Sequence, residues 1–255
     1  MNNPTLDLLH RHASVRHYKP DPLPASVIET IVSAGQCAST SSNMQTYTVI
    51  AVTDPAKRQH LAELCGNQKH IVEAPVFLAW CADLARLDRA CQLRGYVQET
   101  GYIESLLIAA TDVVIAAQNA ALAAESLGLG ICYIGSIRNN PQEVIDLLEL
   151  PYHVFPITGL TIGWPEKQPK LKPRLPLKAI LQWEHYDRSA EDEALAEYDL
   201  AMIATGIYDG RQVPYPGKPE VMDPYGWTEH SARRVSQAVR TGLREILEKQ
   251  GFGLK

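Results

Sequence analysis

The 255-residue sequence predicts an α+β fold in which helices pack on a small sheet. Three observations carry that expectation. Stretches with helical spacing outnumber the short β-branched or aromatic runs of strand length. The most apolar stretch, Ile103 to Ile131, is broken by Glu104, Asp112, Gln118, Asn119 and Glu125, which reads as a buried helix and not a membrane span. With 45% hydrophobic and 21% charged residues, the chain can also bury a sizeable core.

The elements follow in order. MNNPTLDLLHRH lacks the uninterrupted apolar run of a signal peptide, so no export is expected. LHRHASVRHYKP (9–20) then gathers His10, Arg11, His12, Arg16, His17 and Lys19 in a chain of formal net charge −5. PLPASVIETIVSAGQCA (22–38) reads as a helix, with Ser26 as N-cap, Glu29 three residues on, and Ile28, Ile31 and Val32 as an apolar stripe. STSSNMQTY (39–47) is a polar turn. TVIAVTD (48–54) and VFLAWCAD (76–83) are strands, separated by an amphipathic helix at 55–64. A long helix at 102–127 is stopped by Gly128 and Gly130. It is followed by a strand at 130–134, a helix at 141–148 and a strand at 155–165.

Composition shifts at Pro165. PEKQPKLKPRLP carries four prolines and four cations and cannot be regular structure. Residues 190–204 and 228–250 read as helical, joined by a Gly/Pro/Tyr-rich loop at 205–227 that is expected to be mobile. The organisation expected is a core over 1–185 and an extension over 186–255. That tail is thin in apolar residues and is expected to wrap the core or a partner subunit.

The acidic balance argues against nucleic acid or an anionic membrane as partner. The five cysteines are odd in number and form no C-x-x-C, which fits reduced cytoplasmic thiols and no metal site; Cys37, Cys81 and Cys132 are expected in the core.

Two basic stretches suit an anion. Lys172 and Arg174 flank Pro173, and a guanidinium fork with an ammonium point charge is sound phosphate chemistry, as is the cluster at 9–20. Ser41, Ser42, Asn43 and Gln45 offer what a flat heterocycle with carbonyl and imide edges requires. From these residues alone, a solvated basic linker and a plain polar turn stay open.

The ordered set of motifs goes further. It comprises H-x-S-x-R (His12, Ser14, Arg16), T-S-S-N-x-Q (Thr40 to Gln45), G-x-Q-K-H (Gly66 to His70) and A-A-E-S-L-G-L-G with Y-I-G (Ala123 to Gly135). R-N-N (Arg138 to Asn140) and G-W-P with K-P-R-L-P (Gly163 to Pro176) complete it. With this set the chain resembles the FMN-dependent nitroreductase superfamily, in its branch of NADPH-linked flavin reductases and oxygen-insensitive nitroreductases. The resemblance implies a small, mainly antiparallel sheet flanked by helices, and a homodimer wrapped by the C-terminal extension. It implies hydride transfer from NAD(P)H through flavin N5 to nitroaromatic, quinone or flavin acceptors.

By the same resemblance, His12, Ser14, Lys172 and Arg174 hold the FMN phosphate. Arg16 reaches the ribityl chain and the N1/C2-carbonyl edge and stabilises reduced flavin. Ser41, Ser42 and Gln45 contact polar ring edges or ribityl hydroxyls, and Gln68 the pyrimidine side. Tyr133, Ile134, Gly135 and Ser136 line the face opposite the substrate. No side-chain acid or base is obligatory. Arg211, with Lys218 nearby, is the candidate for the NADPH 2′-phosphate. Ala13 stands where relatives often carry arginine, and Ser136 where glycine is common. His10, Arg11, His17 and Lys19 match no cofactor role, and His70 reads as a structural histidine. A flavin-carrying binding or regulatory protein, and a same-fold enzyme of dehydrogenation or dehalogenation, are the alternatives.

Overall fold

Four antiparallel strands form one sheet: β1 (Tyr47–Val52), β2 (Val76–Asp83), β3 (Gly130–Ile134) and β4 (Val154–Gly163), in the spatial order β1-β2-β4-β3. The structure is a computed structural model that describes residues 3–255. β2 is buried at all eight positions. Its unbroken apolar run therefore reflects a central strand covered on both faces. β4 pairs with it antiparallel, and Gly159 makes room for the Phe77 ring, which a Cβ there would overlap.

The chain divides into two compact units, one running through Pro169 and resuming at Arg240–Lys255, the other spanning Lys170–Val239. The helices are α1 (Pro4–His10), α2 (Ala25–Gln36), α3 (Pro55–Leu64), α4 (Lys69–Glu73), α5 (Ala85–Arg94), α6 (Ile103–Ser126), α7 (Pro141–Leu147), α8 (Glu191–Ala204), α9 (Trp227–Val235) and α10 (Leu243–Lys249). Asn3 caps α1 by accepting from the Thr5 and Leu6 amides, and Asp54 caps α3 by accepting from Lys57 N at 2.8 Å.

α6 is the core helix of the first unit and packs on α2, β2 and β4. Its buried stripe is made of small residues, Ala109, Ala116, Ala117, Ala120, Ala121 and Ala124, with Val113 and one acid, Asp112. Small side chains let the helix approach closely; a Cβ on Gly35 of α2 would lie 3.0 Å from Ala116 O. Among the described residues α6 alone has the length and apolarity of a membrane span, and that composition serves the core.

The α+β class and the four strands stand as expected, within two residues at each end. Other expectations need correction. α2 begins at Ala25 behind Pro24, and Ser26 lies inside it, accepting from Thr30 Oγ1 with its carbonyl, so the Ser26–Glu29 box is absent. The helix expected over 228–250 is two helices, α9 and α10, in different units. Arg240 has φ +54° and Gly242 precedes α10, so the backbone cannot run through as helix. α10 and the residues after it return to the first unit, where Leu247 and Phe252 join the core. Cys37 is exposed at the outer side of the α2 terminus, whereas Cys81 and Cys132 are buried as expected. α1, α4 and α5 were not foreseen; α1 and α5 bury no residue, so no apolar stripe announces them.

Candidate functional site

The basic segment is laid against the sheet. Val15 N donates to Ile131 O at 2.8 Å, Lys19 N donates to Trp164 O at 2.9 Å, and Tyr18 bridges to Pro165. Val15 and Tyr18 point inward, and Gly130 makes room, since a Cβ there would meet Val15 at 2.5 Å. The Tyr18 hydroxyl donates to Val15 O at 3.0 Å and meets Thr161 Oγ1 at 2.9 Å, and burial pushes its pKa well up. The intervening positions stay open: His12 and Ser14 are half-buried, and Arg16 is exposed with no carboxylate partner among the described residues. An exposed, unpaired guanidinium beside a hydroxyl and an imidazole is a donor set for an anion.

His12 is held by Glu125, whose Oε1 lies 2.7 Å from its Nδ1. The other Glu125 oxygen is buried without a partner. Nearby, His70 is 8% exposed with Nε2 buried and unpartnered. Burial first, and the Arg16 charge second, hold its pKa below the ordinary 6.5. His17 and Lys69 both face Glu73, at 3.9 and 2.8 Å.

The polar turn has an unusual backbone. Ser42, Asn43 and Gln45 take φ of +48°, +58° and +53°. Each such residue costs about 1–2 kcal/mol against ordinary backbone, so the loop must be held from outside. Among the described residues two side chains hold it, and Asp83 N adds a bond to Thr46 O at 3.0 Å. Asp112, 1% exposed, accepts from Ser41 N at 2.9 Å, Thr46 N at 3.1 Å and Thr46 Oγ1 at 2.8 Å. Arg86 donates to Gln45 O and Tyr47 O, both at 3.1 Å, while paired to Asp83. Secured below, the loop leaves the side chains of Ser42, Asn43 and Gln45 exposed. A cavity of about 420 Å³ adjoins it, lined by Val32, Gln36, Met44, Gln45, Tyr47 and Arg86.

Two further candidates meet directly: Gln68 Nε2 donates to Ser136 Oγ at 2.5 Å and to Cys65 O at 3.0 Å. Burial pushes the Cys65 thiol up to about 12. Ser136 lies in the turn Gly135–Arg138 that follows Ile134, and the half-buried Arg138 guanidinium donates to Ile157 O. The Tyr133 hydroxyl donates to Gln118 Oε1 at 3.3 Å, and its pKa is raised by burial. Ser136 thus does more than replace a glycine; its hydroxyl fixes Gln68.

In the second unit, Lys172 and Arg174 are exposed on an irregular segment, tied down where Tyr198 donates to Pro173 O at 3.3 Å. Arg174 has no carboxylate partner among the described residues, while Lys178 pairs with Glu193 and Glu197. Arg211 and Lys218 are exposed on the loop 205–226.

That loop is organised by Arg233, 3% exposed. Its guanidinium donates to Val213 O at 2.9 Å, Pro219 O at 3.3 Å and Glu229 Oε1 at 2.8 Å, and lies 5.3 Å from the centre of the Tyr225 ring. Gln212 and Met222 exchange two hydrogen bonds, and His230 stacks on Tyr208 at 4.2 Å.

As a donor set these residues fit a flavin mononucleotide. Hydroxyls and amides suit a flat ring with carbonyl and imide edges, and a guanidinium without a carboxylate partner among the described residues, as at Arg16 or at Arg174, suits a phosphate. Asp112, Glu125, Arg86 and Arg233 were not foreseen. The first two carried a signal, since an acid inside an apolar helix needs donors. No group of residues suited to a metal occurs among the described residues.

Comparison with known proteins places this geometry in context. The family model described as "Nitroreductase family" matches residues 9–164, and that described as "Nitroreductase family, C-terminal domain" matches 172–255. Over 253 residues the chain is 36% identical to the oxygen-insensitive NADPH nitroreductase of Salmonella typhimurium, covering 99% of this chain and 100% of that protein. It is 36% identical over 256 residues to the FMN reductase (NADPH) of Bacillus subtilis, covering 99% of each. Among solved structures, the NADPH:FMN oxidoreductase from Vibrio harveyi complexed with NAD+ matches with a TM-score of 0.85 and 32% identity, over 98% of each chain.

Proposed function

The chain belongs to the nitroreductase family, and from that premise we propose that it transfers hydride from NADPH to nitroaromatic, quinone or flavin acceptors. It is an NAD(P)H-dependent oxidoreductase whose cofactors are FMN and NADPH. When bound, FMN supplies the two-electron hydride chemistry at N5.

The chain supplies position and charge. His12, Ser14, Lys172 and Arg174 hold the phosphate, with Glu125 orienting the His12 ring. Arg16 gives the N1/C2-carbonyl edge a positive charge, which favours the electron-rich form of the ring. Ser41, Ser42 and Gln45 meet polar ring edges or ribityl hydroxyls, and Gln68, fixed by Ser136, meets the pyrimidine side. Tyr133, Ile134, Gly135 and Ser136 line the ring face away from the substrate. Arg211 reads the NADPH 2′-phosphate. The observation that carries this reading is the loop 41–46, left-handed at three residues, tied from below and open above.

We place the active form as a cytoplasmic homodimer with no nucleic-acid or membrane partner. Tyr96, Val97, Ile103, Leu107, Val114 and Ile115 are exposed on and before α6, an apolar surface suited to a second copy.

Purified protein is expected to be yellow with about one FMN per chain by extraction and chromatography. It should oxidise NADPH rapidly when a quinone is added. Colourless protein that takes up no FMN overturns the reading, and FMN uptake without turnover favours a binding protein instead. Arg174→Ala should weaken FMN about ten- to a hundredfold in a fluorescence titration, and Arg11→Ala hardly at all.

A further inference from the structure

We infer that Asp112 is a positioning residue for the flavin: from the buried face of α6 it sets the left-handed loop 41–46 before the cofactor arrives. The inference rests on the assignment of that loop to FMN.

The geometry leaves Asp112 little other purpose. Every other buried position of α6 is Ala or Val. A buried carboxylate among them costs folding energy unless donors surround it. Here the donors are the Ser41 and Thr46 amides and the Thr46 hydroxyl, so both carboxylate oxygens are engaged. The two amides mark the two ends of the segment that contains Ser42, Asn43 and Gln45. Within it, Met44 N returns to Ser41 O at 2.9 Å and Tyr47 N to Gln45 O at 2.9 Å. These local bonds shape the turn. Arg86 and Asp83 N tie its second end, and among the described side chains Asp112 alone bonds both Ser41 and Thr46.

A loop preset in this way loses less freedom when the ligand binds. Asp112 is 1% exposed and both of its oxygens face the loop, so its effect passes through the loop.

The test uses Asp112→Asn and Thr46→Val. The first keeps size but sets an amide NH2 against N–H donors; the second removes the hydroxyl donor alone. Phe252→Leu, in the core beside Phe155, is the control for general destabilisation. Apoprotein is titrated with FMN by fluorescence, and amide hydrogen exchange is measured without FMN.

Asp112→Asn is expected to weaken FMN about tenfold or more, and Thr46→Val about threefold. Exchange at Ser41 and Thr46 should accelerate in Asp112→Asn and stay unchanged in Phe252→Leu. Should Asp112→Asn fail to fold, Thr46→Val carries the test with the same two readouts. FMN affinity unchanged in the folded variants overturns the inference, as does equal weakening by Phe252→Leu. Wild-type protein that takes up no FMN instead overturns the flavin assignment, and this role with it.

Discussion

Two loops of this molecule are organised by opposite means. The short loop 41–46 is gathered by a buried acid, Asp112, which collects amide and hydroxyl donors. The long loop 205–226 is gathered by a buried base, Arg233, which collects carbonyl acceptors and an aromatic face. The choice of ion follows from what each backbone leaves over. A tight left-handed turn points N–H groups inward, and only an acceptor can satisfy them. A wide, proline-rich loop has fewer N–H groups to offer and turns carbonyls inward, which only a donor can satisfy. The scale differs too. A carboxylate spans one turn, whereas a guanidinium with five donors in a plane reaches two separated strands of loop.

Breaking the long loop should have the largest effect. Arg233→Met strips the donors from Val213 O, Pro219 O and Glu229, and is expected to cost the second unit about 3–5 kcal/mol. Urea denaturation checks the stability. Limited proteolysis should cut at 211–222 in the variant, and resistance equal to wild type would show that Gln212 and Tyr225 suffice.

A sharper test separates the clamp from the tip. Arg211 is exposed and outside the Arg233 network. Arg211→Ala should raise KM for NADPH about tenfold while leaving KM for NADH and the urea midpoint nearly unchanged. If both KM values rise together, Arg211 orders the loop and does not read the phosphate.

The smallest effect concerns His70, in the same unit as the first loop but tied to neither clamp. Its folded pKa lies below the ordinary 6.5, chiefly through burial, so the unfolded chain binds the proton more readily. The stability from its neutral form is present above pH 6.5 and is lost as pH falls from there through the depressed value. His70→Asn should flatten the fall in thermal midpoint across that window, and an unchanged slope assigns the acid sensitivity elsewhere.

Legibility in the sequence followed burial and locality. VFLAWCAD reads as a strand from its β-branched and aromatic run, and the run is unbroken because every residue of the strand is buried. The ordered motifs named the family because they sit in local segments. Asp112 and Glu125 were visible but passed only as polar breaks in an apolar helix. Two of Asp112's three partners are backbone amides 66 and 71 residues away, which leave no mark in an amino-acid sequence, and the third is one threonine hydroxyl as distant. Glu125 likewise meets a histidine 113 residues away. Cys37 misled because its neighbours are apolar, while its own position falls on the outer side of the helix end. The join between α9 and α10 misled because 236–242 carries no helix breaker except Gly242 at its end.

Asp112 and Glu125 stand on one helix, 13 positions apart. At 1.5 Å per residue that is a fixed spacing of about 20 Å, with a fixed rotation between the two acids. A single codon inserted or deleted between them would swing one acid about 100° relative to the other. Either the loop 41–46 or His12 would then lose its anchor. Substitutions along the outer face of α6 leave that spacing intact, and length changes do not. The gene for this protein is therefore free to drift in spelling along the outer face of α6 but not in length, whereas codons can be added at the exposed tip of 205–226 without disturbing either acid.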